Sequence, residues 1–125
     1  MTSQQDMFEN PLHRARKLKT QRRYDEAQKI LEQELIRQPT NLRAKASLAD
    51  LFYRTDRHKD ALTLAGEILR DDPDDPRALL VMGNVLLARK KPTEALDYFK
   101  LALENAGSES LREKILAAVK KIEEK

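Results

Sequence analysis

Few side chains in this sequence have a type and spacing that could support catalysis or metal binding. The two histidines, His13 and His58, lie far apart in the sequence, and we expect both at the surface. The acidic stretch 71–75 offers carboxylates for calcium, but it lacks the spaced ligands and the distal glutamate of a calcium loop. The sequence contains no cysteine, no glycine-rich phosphate loop and no HExxH motif. It therefore predicts no enzyme activity, no metal and no cofactor.

Positive charge is concentrated near the start of the chain, although the net charge is only +3. Six cationic residues lie between His13 and Arg23: Arg14, Arg16, Lys17, Lys19, Arg22 and Arg23. Such a run could contact phosphates, attract an acidic protein segment or simply form a solvated face. Few aromatic residues are interleaved with it, so stacking on nucleic acid bases would be weak. A solvated face is the preferred interpretation, and nucleic acid is the least favoured partner.

Any such surface must be positioned by helices, because apolar residues recur at helical spacing along most of the chain. Helix starts are indicated at Asn10-Pro11, Asn41 and Asp75-Pro76, where a side chain can cap the first turn and proline needs no N–H partner. The predicted helices cover about residues 11–20, 25–37, 42–54, 59–70, 76–89 and 93–105.

The helical pattern repeats at one constant interval along the chain. Two columns hold only small residues: Ala15, Ala49 and Gly83 in the first helices, and Ala27, Ala61 and Ala95 in the second helices. Two others hold large apolar residues: Leu18, Phe52 and Leu86, and Leu35, Leu69 and Leu103. Small residues let two helices cross closely, and large ones fill the space between them. The columns therefore predict three copies of one packed helix pair.

The third copy carries Leu79-x2-Met82-Gly83-x2-Leu86, then Ala95-x3-Phe99, then Gly107. This stretch resembles one unit of the tetratricopeptide repeat (TPR) family, a helix–turn–helix of about 34 residues. The resemblance implies an all-α helical-hairpin array, an α-α superhelix or solenoid of seven helices. The repeats would span about 8–41, 42–75 and 76–109, within a single domain at 10–125 that follows a flexible segment at 1–9.

The two ends of the array are expected to face water in different ways. Arg14, Lys17 and Glu34 stand where later repeats carry apolar residues, as an exposed first repeat requires. At the other end, the capping-box sequence from Ser110 to Glu113 predicts a closing helix at about 110–124. Its apolar stripe would cover the third repeat; the stripe comprises Leu111, Ile115, Ala118, Val119 and Ile122.

The resemblance also implies a function, since TPR proteins generally bind peptides or helices in a concave groove lined by the first helices. We expect a non-enzymatic protein–protein interaction module, an adaptor, scaffold or assembly factor. The candidate groove residues are Arg16, Arg43, Asp50, Tyr53, Arg77, Leu80, Asn84 and Leu87. Asn84 could both donate to and accept from a peptide backbone, and the arginines could attract carboxylates. Leu80 and Leu87 could instead pack against the closing helix.

One subclass of the family is excluded. Chaperone-binding members hold a C-terminal carboxylate with two lysines, two asparagines and an arginine. The corresponding positions here are Leu12, Arg16, Ser47, Arg77 and Val81, and only Arg77 is chemically compatible. Two alternatives to groove binding stay open: self-association, with Met7 and Phe8 docked in a neighbour's groove, and nucleic acid or acidic-partner binding through the basic first repeat.

The chain has no segment suited to a membrane. Its longest uncharged run, 78–88, is too short to span a bilayer, and its opening residues lack the apolar core of a secretory signal. We expect a cytoplasmic protein that is a monomer or a weak homo-oligomer.

Overall fold

The computed structural model of the protein describes residues 9–124, which form seven helices and no strand. The helices are α1 (Pro11–Thr20), α2 (Tyr24–Arg37), α3 (Leu42–Arg54), α4 (His58–Asp71), α5 (Pro76–Ala88), α6 (Pro92–Asn105) and α7 (Glu109–Glu123). Each predicted boundary lies within one residue of the observed one. The all-α helical-hairpin array is confirmed. None of the helices in this part of the chain is both long and apolar enough to cross a membrane.

Side-chain caps set the starts of the first helices, as predicted. Asn10 accepts a hydrogen bond from the Leu12 N–H at 2.8 Å, and Asn41 accepts one from the Ala44 N–H at 3.1 Å. Asp75 accepts from two N–H groups at the start of α5. Each cap satisfies N–H groups that have no partner within the helix.

The capping box at Ser110 was wrong. The cap of α7 is Ser108, whose hydroxyl accepts from the Leu111 N–H at 3.2 Å. Helix α7 begins at Glu109, so Ser110 lies inside its first turn. The physical reason is that a capping hydroxyl must precede the first helical residue and reach an N–H two or three positions ahead.

The turns inside the three repeats share one backbone geometry that the sequence analysis did not predict. Arg22, Asp56 and Lys90, which occupy equivalent positions in the three repeats, have positive φ angles of 60°, 62° and 63°. In each turn the next residue's N–H donates to a carbonyl near the end of the first helix, for example Arg57 N–H to Phe52 O at 2.8 Å. These left-handed residues end the first helices and reverse the chain in the same way each time.

The helices form two layers. Helices α1, α3, α5 and α7 make up the first-helix layer, in which each helix packs against the next. Helices α2, α4 and α6 make up the second-helix layer, and consecutive members make no comparable contact within residues 9–124. Because only the first helices approach one another closely, the array curves towards them. The concave face of the first-helix layer is called the groove below.

The predicted small columns are buried at the helix crossings. Ala15, Ala49, Ala27, Ala61 and Ala95 are fully inaccessible to solvent. Gly83 is also buried, and a Cβ atom built on it would lie no more than 2.9 Å from three atoms of the Phe99 ring. The columns therefore mark the places where two backbones or a backbone and a ring come closest.

Glu34 was expected to face water, and this was wrong. Its side chain is only 6% exposed, and it accepts hydrogen bonds from Arg37 Nη2 at 2.9 Å and from Asn41 Nδ2 at 3.2 Å. The second repeat covers the end of α2, so this column is interior even in the first repeat. Donors to a buried carboxylate offset the cost of removing its water. Lys17, in contrast, is exposed as expected and pairs with Glu9 at 2.9 Å.

The closing helix covers the third repeat. Leu111, Ile115 and Ala118 of α7 are buried in one cluster with residues of α5 and α6, including Leu79 and Phe99. Val119 and Ile122 are half-buried against the same cluster. Their spacing places all five on one face of α7, which packs against the third repeat as the sequence predicted.

Candidate partner-binding groove

An ion cluster that includes Asp50, one of the predicted groove residues, lies where α1 meets α3. Lys19 Nζ donates to Asp50 Oδ2 at 3.2 Å and to Ser47 Oγ at 3.1 Å. Arg54 Nε donates to the same Asp50 oxygen at 2.8 Å. Lys19 is only 14% exposed, and Asp50 is half-buried. One carboxylate therefore holds two cations and links the first repeat to the second.

Burial and charge act differently on the members of this cluster. Desolvation is the largest influence on Lys19 and lowers the pKa of its ammonium, because Asp50 does not fully replace the lost water. Like-charge repulsion from Arg54 on α3 and from Lys114 on α7 lowers the pKa of Lys19 further. Burial by itself opposes ionisation of Asp50, but Lys19 and Arg54 outweigh it and lower the pKa of the carboxyl. The same attraction outweighs burial for Arg54 and raises its pKa.

Asp50→Asn is expected to reduce the free energy of unfolding by about 1.5–3 kcal/mol, because it leaves Lys19 half-buried without a counter-ion. Lys19→Met should have a much smaller effect, since Asp50 keeps Arg54 and the methionine replaces the buried stem. The Asp50 contribution is present above its unfolded pKa and disappears as the pH falls through its lowered folded pKa. Urea denaturation at neutral and acidic pH measures both effects. Equal losses for the two variants would contradict this account of the cluster.

Tyr53 lies beside the cluster on α3, and its ring stacks on His58 with the ring centroids 6.1 Å apart. His58 was expected to be a surface residue, but its side chain is only 23% exposed. The reason is the turn at Asp56, which brings the start of α4 back against the end of α3. Both rings are half-buried, so Tyr53 is held in place by its contact with His58 and keeps part of its surface exposed.

The predicted groove residues of the third repeat form a different kind of surface. Leu80 and Leu87 are half-buried and pack against the cluster that includes α7. Packing against this cluster was one of the two interpretations left open above. Asn84, one turn from each, is half-buried. These three residues therefore combine apolar area with one amide that can bond a peptide backbone.

The predicted arginines lie on three separate helices. Arg16 on α1 and Arg43 on α3 are exposed, and Arg77 at the start of α5 is half-buried. Of the eight predicted groove residues, Asp50 is the one whose hydrogen bonds join two repeats. Lys19 and Arg54, which complete the ion cluster with Asp50, are not among those eight residues.

Other parts of the molecule offer weaker sites. Within the described range 9–124, no three His, Asp or Glu side chains are grouped so that they could hold a metal ion. An open cleft of about 520 Å³ lies at the N-terminal end, between the starts of α1 and α3 and the end of α2. Its side chains are already used: Asn10 and Asn41 cap helices, and Arg37 binds Glu34. This cleft is therefore explained by helix packing.

Comparison with known proteins agrees with this geometry. The family model described as tetratricopeptide repeat matches residues 18–85 and 56–119, which together cover most of the chain. The crystal structure of the P58(IPK) TPR domain is similar, with a TM-score of 0.72 and 20% sequence identity. The match covers 91% of this chain and 32% of that one, and it shows the fold alone. No protein with a curated description matches the sequence significantly. By the family model and by its repeated two-layer helix pairs, this chain belongs to the tetratricopeptide repeat family.

Proposed function

We propose that the protein is a non-enzymatic adaptor or assembly factor that holds an extended or helical segment of a partner protein in the groove. TPR repeats generally mediate protein–protein interaction, which supports the class of function. The observation that carries the groove assignment is that Tyr53 and Asn84 lie half-buried on adjacent first helices of a contiguous layer. Half-buried residues are held in position and still offer atoms to a ligand.

The chemistry of these residues suits a polypeptide. Asn84 can donate to and accept from a peptide group at the same time. Tyr53 supplies rigid contact area with a polar tip, a combination enriched at protein interfaces. A few such contacts usually account for most of the binding energy, so removing two of them should be decisive.

Asn84→Ala combined with Tyr53→Ala is expected to abolish capture of the natural partner from a source lysate, while helicity and melting temperature change little. The matched control is Asn105→Ala with Tyr98→Ala, which removes the same side-chain types from α6 in the second-helix layer. Affinity capture followed by mass spectrometry measures the result. If capture survives in the groove variant and is lost in the control variant, the second-helix layer binds the partner.

The basic first repeat supplies the competing surface. Lys17 is exposed on α1, and its charge reversal, Lys17→Glu, should leave capture intact. If this change abolishes capture and the groove variant does not, the basic end is the binding surface. The self-association alternative rests on Met7 and Phe8, which lie outside the described residues. Light scattering over a concentration series tests it directly.

A further inference from the structure

Helix α7 lies where the first helix of a fourth repeat would lie. It belongs to the first-helix layer and packs against α6 and α5. Helix α5 begins at residue 76 and α7 at residue 109, a shift of 33 residues, and the shift from α3 at residue 42 to α5 is 34. In a complete repeat the first helix also packs against the second helix that follows it, as α5 packs against α6. The side of α7 that corresponds to this contact is called its open side below.

The open side of α7 is identified by the repeat register. On α5 the equivalent side includes Gly83, where an added Cβ atom would meet the Phe99 ring of α6. The open side consists of the residues that follow Leu79, Met82, Gly83 and Leu86 by 34 positions, which are Glu113, Leu116, Ala117 and Lys120. All four are exposed. Leu116, at 46%, is one of two large hydrophobic side chains that are exposed within residues 9–124.

The charges of the open side are symmetric about its apolar centre. Glu113 lies three residues before Leu116, and Lys120 lies three residues after Ala117. When two such helices pack antiparallel about a two-fold axis between positions 116 and 117, Glu113 of each helix faces Lys120 of the other. Leu116 of each helix then faces Ala117 of the other, whose small side chain lets the helices approach closely. A parallel pair would place equal charges opposite each other.

We propose that the open side of α7 is a docking surface for α7 of a second copy of this chain, and that the two helices pack antiparallel in a symmetric dimer. A two-fold contact requires a surface that is complementary to itself, and the order Glu113, Leu116, Ala117, Lys120 has this property. An unrelated partner helix would not require an acidic and a basic residue at equal distances from the centre. The proposal does not depend on the proposed function.

The small size of the open side predicts a weak dimer. Helix α7 has 15 residues, which form about four turns, and one such pair of helices buries less than the roughly 1,200 Å² at which stable interfaces begin. The same register brings Glu109 of one copy near Glu124 of the other at each end of the contact. Both are exposed, so water and salt screen their repulsion. We expect a dissociation constant on the order of 0.1 mM.

The test is sedimentation equilibrium of the intact chain and of charge-reversed variants, from about 10 μM to about 1 mM. The mass of the intact chain should rise from monomer towards dimer over this range. Glu113→Lys and Lys120→Glu should each weaken the dimer about tenfold or more, because like charges then meet at both contacts. An equimolar mixture of the two variants should recover the dimer, since opposite charges meet again at both contacts.

Two matched controls separate the open side from general effects of charge and hydrophobicity. Lys114→Glu makes the same change of net charge as Lys120→Glu, at an exposed position about 100° around the helix from Glu113. It should change the dissociation constant less than about twofold. Leu116→Ala should weaken the dimer about tenfold, whereas Ile36→Ala should not, although Ile36 on α2 is 81% exposed. Circular dichroism should show that all variants keep their helicity.

Four results would overturn the proposal. The intact chain could remain a monomer up to about 1 mM, or it could form species larger than a dimer, as an open head-to-tail contact produces. Lys114→Glu could weaken the dimer as much as Lys120→Glu does. Finally, the mixture of Glu113→Lys and Lys120→Glu could stay as dissociated as each variant alone, which would contradict the antiparallel register.

Discussion

Gly83→Ala is expected to lower the free energy of unfolding by about 1–2 kcal/mol, even though alanine is the better helix former. The gain in helix propensity is about 1 kcal/mol. Against it stands the Phe99 ring, which is fully buried and within 2.9 Å of the new methyl carbon at three of its atoms. Overpacking of this kind costs about 1–3 kcal/mol, and a ring enclosed on all sides places this site at the upper end. Urea denaturation measures the difference.

The other repeats indicate how the loss can be recovered. Phe99 occupies the column of Leu31 in the first repeat, where the facing small residue is Ala15 in place of Gly83. Phe99→Leu should therefore rescue Gly83→Ala, and the double variant should be more stable than the sum of the two single losses. If the two losses in free energy of unfolding are additive, the residue sizes at positions 83 and 99 are not coupled.

Gly66→Ala is the matched control for the helix-propensity gain. Gly66 lies within α4, and a Cβ atom there would meet nothing within 4 Å. This change should raise the free energy of unfolding by about 0.8–1 kcal/mol. A loss of stability at Gly66 as large as that at Gly83 would contradict the packing explanation.

Ile115→Ala is expected to have the larger effect, a loss of about 2–5 kcal/mol, because it opens a cavity where α7 meets the third repeat. Ile115 is fully buried in the cluster that contains Phe99 and Ala102. Loosening α7 would expose this apolar surface, so the variant should also aggregate on heating. Thermal melting monitored by circular dichroism and by light scattering measures both effects.

Leu116→Ala is the matched control, since Leu116 is the next residue on α7 and is 46% exposed. It should change the free energy of unfolding by less than about 0.5–1 kcal/mol, because little apolar area leaves the interior. Equal effects at the two positions would mean that α7 does not pack against the third repeat through its predicted stripe. Truncation after Gly107 should reproduce the aggregation expected for Ile115→Ala.

Features that depend on neighbouring residues were predictable from the sequence. Asn10, Asn41 and Asp75 cap helices as predicted, because a cap joins a side chain to an N–H only two or three residues ahead. The small columns were predictable for a related reason. The two helices of every copy cross in the same way, so a residue of the same size recurs at the same position of each copy.

Features that depend on distant residues needed the tertiary structure. Glu34 looked like a surface residue, since polar residues are expected at the end of an array. It is buried because the second repeat covers it and because Arg37 and Asn41 are placed to satisfy its carboxylate. Ser108 and Ser110 can both cap a helix chemically, and in the folded chain it is the Ser108 hydroxyl that accepts from the Leu111 N–H.

The sequence by itself determined the helices, their repeat and the family, because short-range periodicity and capping specify them. Only the tertiary structure decided the electrostatics of the groove. The pairing of Lys19 with Asp50 depends on how α1 packs against α3, and hence on the curvature of the first-helix layer. That curvature is the sum of small rotations between successive repeats, set by side-chain sizes at every crossing, and no single local pattern encodes it.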